Sequence, residues 1–245
     1  MNRKFLSWDC EIAAIVPEGE TDWWQHAPLG ITCAALAWLD AETGRVESRV
    51  FHPDGYADRM KGWECSELVW TLSLAAKDQG YTLLTHNGTS FDWRLLAMES
   101  GEHDECVDLA LNYSVDTLLH PFCVKGFPLG LDAIAKGMGL DGKLEGMSGR
   151  EAPQAWADGR YDEVLRYVEQ DAVTGLEMAL LVERLGHLRW ISRRGKLNTL
   201  FLPGGWLTVA EALALPEPDT GWMDNPLQRS GFVDWMAQPA DEQLA

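Results

Sequence analysis

The sequence lacks the features that would assign it to a membrane or to a disulfide-stabilised fold. Its five cysteines are scattered, odd in number and without a C-x-x-C pair, which argues against both a disulfide framework and a zinc site. No run approaches the ~20 consecutive apolar residues of a membrane span, and acids follow the N-terminus after only a few apolar residues. We therefore expect a soluble cytoplasmic protein with no membrane partner.

Positive charge is also scarce, because 20 Lys and Arg residues face 38 Asp and Glu residues. Phosphate affinity usually comes from Lys and Arg, so the net charge of -18 counts against a nucleic-acid partner unless the acids bind metal ions. Arg189, Arg193, Arg194 and Lys196 form a basic cluster that contrasts with this acidity. The cluster predicts either contact with a nucleic-acid backbone or an ordinary exposed hairpin turn.

The hydrophobic pattern changes along the chain from strand-like alternation to helical periodicity. Alternation predicts strands over residues 4–14, 29–39, 45–52, 81–86 and 113–119. The helical period predicts helices over residues 64–80, 90–100, 129–138 and 162–185. Three strands in hairpin order, followed by alternating helices and strands, predict an α/β fold in which helices flank a mixed β-sheet.

The last part of the chain differs in character from the rest. We predict a main domain over residues 1–186 and a small appended C-terminal module over residues 187–245, with a hairpin that turns at Arg194-Gly195. Thr208 and Glu211 have the spacing of a capping box before a short helix. Residues 137–149 are predicted to form a glycine-rich loop.

Acidic residues stand at three informative places in this pattern. Asp9 and Glu11 are two apart on the first strand, so both point to one face while Trp8 and Cys10 point to the other. Two acids on a buried strand are costly unless they hold a cation. Tyr167 and Asp171 are four apart on the long helix and share a face. Taken alone, Tyr167 is better explained as a packing residue and Asp171 as part of a solvated helix face.

Asp92 opens the third informative segment. Thr89 and Asp92 have the spacing of a capping box, in which both side chains satisfy backbone amides at the start of a helix. The alternative is that Asp92 converges on a metal ion together with the other acids. Asp116, on a later strand, is expected to be structural.

Three motifs in this order resemble those of the DEDD exonuclease superfamily, which has an RNase H-like fold. They are Asp9-x-Glu11, Asn87-Gly88-x-x-Phe91-Asp92 and Tyr167-x-x-x-Asp171. The tyrosine is similar to that of the DEDDy branch, since the DEDDh branch would need histidine where Arg166 stands. Residues 86–92, HNGTSFD, most resemble the proofreading exonuclease type of family B DNA polymerases. The resemblance covers residues 4–185.

The resemblance implies a set of metal ligands and a metal-assisted reaction. Four carboxylates would hold two divalent ions, and oxygen-only ligation suits Mg²⁺ or Mn²⁺. The implied ligands are Asp9, Glu11, Asp92 and Asp171. Tyr167 is implied to be catalytic as well, by orienting the attacking water.

The resemblance also implies substrate-binding residues. Asn87 would contact the terminal nucleotide by a hydrogen bond and Phe91 by packing. Ile12 and Ala13 stand where the family often has a threonine beside the terminal sugar, so Ile12 is expected to contact the substrate in a different way.

The implied activity is a metal-dependent 3′-to-5′ exonuclease that releases nucleoside monophosphates from single-stranded DNA or RNA 3′ ends. The alternatives are an RNase H-like endonuclease and a catalytically inactive exonuclease fold that binds nucleic acid. The motifs fit DNA and RNA alike, because recognition of the 2′ hydroxyl depends on contacts that they do not contain. No residue pattern identifies a polymerase or repair partner.

Overall fold

A computed structural model describes residues 3–141 and 146–237. Its main sheet has five strands in the order β3-β2-β1-β4-β5. The strands are β1 (Lys4–Ile12), β2 (Ile31–Leu39), β3 (Val46–Phe51), β4 (Tyr81–Thr85) and β5 (Ser114–Asp116). β1, β2 and β3 form an antiparallel meander, whereas β4 pairs parallel to β1 and β5 parallel to β4. The predicted mixed sheet flanked by helices is confirmed, with β1 at its centre.

Eight α-helices occur among the described residues. They are α1 (Gly62–Ser73), α2 (Asp92–Ser100), α3 (His103–Asn112), α4 (Leu119–Lys125), α5 (Leu131–Met138), α6 (Ala152–Ala157), α7 (Tyr161–Leu185) and α8 (Val209–Leu213). α1 continues as a π-helical turn, Leu74–Asp78. The sequence analysis missed α3, α4 and α6. α4 and α6 span only about two turns and each contains a proline, so the helical period has too few residues to be visible.

The strand predicted over residues 113–119 is shorter in the structure. β5 ends at Asp116, whose Oδ1 accepts hydrogen bonds from the backbone amides of Leu118 (2.9 Å) and Leu119 (3.1 Å). These amides open α4, where backbone N–H groups have no helical partner. The carboxylate of Asp116 therefore converts the end of the predicted strand into the start of a helix.

The two faces of β1 are buried by different helices. Leu6, Trp8, Cys10 and Ile12 lie in a core that includes apolar residues of α1, α2 and α3, as strand alternation requires. Phe5 belongs to the opposite core, which α7 covers. α7 approaches closely because a Cβ on Gly175 would lie 2.9 Å from Ser7 Oγ. This packing brings the middle of α7 alongside the second half of β1.

The C-terminal residues form a hairpin, a short helix and two 3₁₀ turns. β6 (His187–Ile191) pairs antiparallel with β7 (Leu197–Phe201), and the turn contains Gly195 at a φ of 74°, as predicted. The capping box is confirmed, because Thr208 Oγ1 accepts from the Glu211 amide (3.3 Å) and the Glu211 carboxylate accepts from the Thr208 amide (2.8 Å).

This C-terminal part packs directly on the main sheet and its helices. The Trp206 indole donates to the Ala179 carbonyl on α7 at 3.2 Å, and the Trp235 indole donates to the Thr89 carbonyl at 2.7 Å. The domain boundary at residue 187 stays a prediction. Residues 238–245 of the predicted module and 142–145 of the predicted loop lie outside the described residues.

Within the described ranges, no helix is long and apolar enough to cross a membrane. All five cysteines are buried thiols. The basic cluster of Arg189, Arg193, Arg194 and Lys196 is exposed on the hairpin.

Candidate active site

A cavity of about 450 Å³ lies at the carboxyl end of β1. Its walls come from β1, from the turn that leads into α2 and from the middle of α7. All eight predicted site residues line it: Asp9, Glu11, Ile12, Asn87, Phe91, Asp92, Tyr167 and Asp171. The fold therefore joins three segments that are far apart in the sequence, although their catalytic and binding roles stay predictions.

β1 contributes two carboxylates to one side of the cavity. Asp9 is half-buried and Glu11 is buried, and both lie on the strand face opposite Trp8 and Cys10, as predicted. The pairing of β1 with β2 is irregular between Glu11 and Ile12. Such an irregularity bends a strand and re-aims its side chains, and here it ends the regular ladder at the edge of the cavity.

Asp92 is the first residue of α2, and its carboxylate points back to β1. Oδ1 lies 3.3 Å from both the amide nitrogen and the Sγ of Cys10, each of which donates a hydrogen bond. Burial raises the pKa of Asp92 to about 6, and the charge of Asp116 adds to this rise while the Cys10 hydrogen bonds oppose it. A carboxylate that is costly to ionise is thus held inside the cavity.

The capping-box interpretation of Asp92 is wrong. The residue before the helix is Phe91, which caps it with no side-chain hydrogen bond. The Thr89 hydroxyl is buried and forms no hydrogen bond with any described residue. The pattern failed because the chain turns between Asn87 and Phe91, where the Phe91 amide donates to the Asn87 carbonyl at 3.1 Å. The residue that precedes the helix is therefore Phe91 and not Thr89.

Asp116 organises this turn from the neighbouring strand. Its two carboxylate oxygens accept from the amides of Asn87 and Thr89, each at 2.9 Å. Asn87 has a φ of 72°, and a Cβ on Gly88 would come within 2.4 Å of the Thr85 side chain. The turn therefore needs asparagine's tolerance of the left-handed region and the small size of glycine, and Asp116 has the expected structural role.

α7 supplies Tyr167 and Asp171, one turn apart and only 2% and 7% exposed. Gly149, which the sequence analysis did not single out, lies opposite them. A Cβ on Gly149 would be 4.0 Å from the Tyr167 hydroxyl and 3.8 Å from Glu11 Oε2. Glycine at this position therefore leaves space in front of two of the predicted catalytic groups.

An aromatic wall that the sequence analysis missed closes another side of the cavity. The rings of Trp23 and Trp24 lie 5.7 and 5.4 Å from the ring of Phe91. The guanidinium of Arg150 lies 5.3 Å from the Trp23 ring and that of Arg94 4.0 Å from the Trp24 ring. Two adjacent tryptophans soon after the D-x-E strand were the available signal. The wall combines flat apolar surface with positive charge in an acidic protein.

His86 also lines the cavity. Its Nδ1 lies 2.9 Å from the Thr117 hydroxyl, and that hydroxyl donates to the Thr85 carbonyl at 3.1 Å. The imidazole is thereby held in a defined orientation beside Asn87.

The four predicted metal ligands fit a divalent cation by their chemistry. They supply only carboxylate oxygens, the ligands that Mg²⁺ and Mn²⁺ prefer, and they share one cavity. In the part of the chain that the structure describes, no three His, Cys, Asp or Glu side chains stand in ready metal-binding geometry. The fit therefore depends on the donor atoms and on the buried carboxylate of Asp92.

The architecture defines an α/β protein with an acidic cavity at the carboxyl end of the central strand of a mixed sheet. Residues 31–182 match the family model RNase_H_2, described as RNase_H superfamily. This chain belongs to the RNase H superfamily. Its fold is RNase H-like, as the motif resemblance implied.

Solved structures of exonuclease I resemble this chain at 14% identity over 75% of its length. One, reported as suggesting how processivity is achieved, has a TM-score of 0.41 with 41% of that chain covered. A product-bound exonuclease I structure has a TM-score of 0.42 with 44% covered. E. coli exonuclease I in complex with a dT13 oligonucleotide has a TM-score of 0.37 with 41% covered. This chain thus spans less than half of theirs. No curated protein matches it.

Proposed function

We propose that this protein is a metal-dependent 3′-to-5′ exonuclease of the DEDDy type, related to the proofreading exonucleases of family B polymerases. It would release nucleoside monophosphates from single-stranded 3′ ends in the cytoplasm. The observation that carries this proposal is the convergence of all eight predicted site residues, seven of them from the three motifs, on one cavity. A structural role for these acids would not require three distant segments to point into the same space.

Asp9, Glu11, Asp92 and Asp171 are the proposed ligands of two Mg²⁺ or Mn²⁺ ions. When bound, such a pair activates a water and stabilises the departing 3′ oxygen. The raised pKa of Asp92 supports this assignment, because a buried carboxylate that resists ionisation gains from a neighbouring cation.

Tyr167 is proposed to orient the attacking water through its hydroxyl. A tyrosine hydroxyl is a weak base at neutral pH, so its contribution is positioning rather than proton removal. The helix holds this residue one turn from Asp171, and the space in front of Gly149 leaves room for a water or a phosphate oxygen beside the hydroxyl.

The terminal nucleotide is proposed to lie between Asn87 and the aromatic wall. Ser90 Oγ donates to Asn87 Oδ1 at 2.9 Å, which orients the Asn87 side chain so that its NH₂ group is the part that can donate to a sugar or a base. Phe91, Trp23 and Trp24 offer aromatic faces, and base stacking on such faces is tolerant of sequence. Ile12 supplies an apolar contact at the end of β1.

The test is digestion of single-stranded DNA and RNA oligonucleotides of matched sequence, labelled at the 5′ end, with Mg²⁺ or Mn²⁺. An exonuclease gives a ladder of products shortened one nucleotide at a time from the 3′ end. An RNase H-like endonuclease gives internal cuts, and an inactive binding module gives neither. Protein with Asp171→Asn, purified in parallel, controls for contaminating nucleases. Either of the last two outcomes contradicts the proposal.

A further inference from the structure

A second groove adjoins the candidate active site. Its volume is about 540 Å³, and it lies between the turn that contains Asn87 and Ser90 and the C-terminal residues 227–234. Asn87 lines both this groove and the candidate active-site cavity, so the two spaces adjoin at this residue. A single-stranded substrate with its end in the cavity would therefore meet the groove next.

The C-terminal wall of the groove is firmly anchored. The guanidinium of Arg229 donates to the carbonyls of Cys123 and Pro216, both at 2.7 Å. The Trp235 indole donates to the Thr89 carbonyl within the turn that leads into α2. Because bonds from both ends of the segment fix it to α4 and to the turn, the groove is preformed, as ligand sites usually are.

The lining suits a nucleobase better than a phosphate. Leu118, Pro128, Leu227 and Phe232 provide apolar surface, while Ser230 and Asp234 provide polar groups. No Lys or Arg occurs among the described residues that line it, and phosphate binding normally needs such charges. A flat apolar ring with hydrogen-bonding edges matches this combination, and the volume lies within the range of ligand pockets.

We propose that this groove binds the base next to the terminal nucleotide, so that residues 227–234 are a substrate-binding element outside the matched family region. This inference rests on the proposed exonuclease function. A base seated here cannot be paired with a complementary strand. The groove therefore selects single-stranded ends and gives the C-terminal segment a function.

The test is a cycle of two substrates and two proteins. One oligonucleotide is intact, and the other has an abasic residue next to its 3′-terminal nucleotide. Leu227→Asp places a charge in the groove at a side chain that is 58% exposed, so it does not require refolding of the core. Leu197→Asp on the hairpin, 51% exposed, is the matched control. Thermal melting verifies that each variant is folded.

We expect removal of the base to lower kcat/KM of the wild type by about 5- to 100-fold, the range for loss of one stacked base. Leu227→Asp should lose a similar factor on the intact oligonucleotide and show no further loss on the abasic one. Leu197→Asp should behave as the wild type does. Equal losses from base removal in the wild type and in Leu227→Asp, or no loss in the wild type, would overturn the proposal.

Binding of the same four combinations, measured with Ca²⁺ in place of Mg²⁺, separates this inference from the proposed function. Absence of hydrolysis by the wild type on every substrate contradicts the exonuclease assignment. The groove is then tested by the dissociation constants alone. Base removal should weaken binding by the wild type and should not weaken binding by Leu227→Asp further. Equal weakening in the two proteins, or none in the wild type, would overturn the proposal.

Discussion

Asp92 and His120 are both buried titratable residues, and burial moves their pKa values in opposite directions. Asp92, in the candidate active site, has its pKa raised to about 6. His120 lies on α4 where the C-terminal segment packs, and burial lowers its pKa to about 4. The Leu207 amide donates to His120 Nδ1 at 3.3 Å, and the Trp206 ring lies 5.7 Å from the imidazole.

This difference is the one expected between a candidate functional site and a region that only stabilises the fold. His120 is neutral at physiological pH, and its Nδ1 accepts a hydrogen bond from the Leu207 amide. The buried imidazole therefore carries no unfavourable charge. Asp92 is largely ionised at pH 7 in a place that disfavours its charge, close to other acids. Unfavourable arrangements of this kind cluster at functional sites, and the comparison can be tested from both sides.

The largest effect should follow from removing a carboxylate of the candidate site. Asp9→Ala, Asp92→Ala or Asp171→Ala should each lower nuclease activity by roughly 10³-fold or more, because metal ions supply several kcal/mol of transition-state stabilisation. The measurement is the initial rate of mononucleotide release. Asp104→Ala, at a fully exposed side chain on α3, is the control and should keep wild-type activity. Comparable activity in all four variants would contradict the ligand assignment.

A smaller loss is expected for Tyr167→Phe. A hydroxyl that only orients a water should contribute no more than ~10²-fold, the lower end for a positioned acid-base group. The carboxylates remain in place, so this variant should keep more activity than any of the three alanine variants. Single-turnover rates at saturating substrate measure the effect without product release. Identical turnover of Tyr167→Phe and wild type would show that Tyr167 only packs.

The sequence predicted those parts of the fold and site that depend on local periodicity. α7, β1 and β2 have long patterns, and strand alternation correctly predicted that Asp9 and Glu11 face away from Trp8. The turn before α2 depends instead on Asp116, 29 positions from Asn87. A local spacing rule therefore misread Thr89 as a helix cap.

The aromatic wall escaped the sequence analysis for the same reason. Trp23 and Trp24 acquire their role by contact with Phe91 and with arginines from two other segments. The local sequence around Trp23 and Trp24 does not indicate which distant ring they will contact. The C-terminal segment is similar, since the Trp235 bond to Thr89 exists only in the folded chain.

Stability measurements on Asp92→Asn should sharpen the comparison. The folded pKa of Asp92, about 6, exceeds its ordinary value of 3.8, so ionisation destabilises the folded state above pH 6 and this cost disappears as the pH falls toward 4. The variant should be more stable than the wild type by ~1–3 kcal/mol at pH 8 without metal. The gain should shrink by pH 5, as measured by urea unfolding.

Metal ions should reduce this difference in stability. Mg²⁺ that binds only the folded state adds ~2.7 kcal/mol when its free concentration is a hundredfold above the dissociation constant. Asp92→Asn should gain less than the wild type from the same concentration, as thermal melting would report. Equal metal-induced shifts in the two proteins would leave Asp92 without a role in metal binding.

His120→Gln should change the acid side of the stability profile instead. The folded pKa of His120, about 4, lies below its ordinary value of 6.5, so its contribution is present above pH 6.5 and is lost as the pH falls toward 4. Protonation linked to His120 should lower the free energy of unfolding of the wild type by ~1–2 kcal/mol between pH 7 and pH 5. The variant should lack this pH dependence. Glutamine retains an acceptor for the Leu207 amide. A slope unchanged by the substitution would assign the acid sensitivity to other groups.

The smallest effect is expected at the basic cluster of the hairpin. The hairpin begins where α7 ends, and the helix from Asp171 to Leu185 spans about 20 Å at 1.5 Å per residue. Arg189, Arg193, Arg194 and Lys196 form no ion pair with another described residue, so they are available to a polyanion. They line neither the candidate active-site cavity nor the adjoining groove.

Neutralising Arg193, Arg194 and Lys196 together should therefore leave hydrolysis of a tetranucleotide within about two-fold of wild type. If the cluster follows a nucleic-acid backbone, binding of a 20-nucleotide strand should weaken, and each lost phosphate contact should reduce the slope of log K against log salt by about 0.7. The tetranucleotide serves as the internal control. An unchanged slope for the long strand would make the cluster an ordinary exposed turn. A large loss on the tetranucleotide would instead place the hairpin beside the candidate active site.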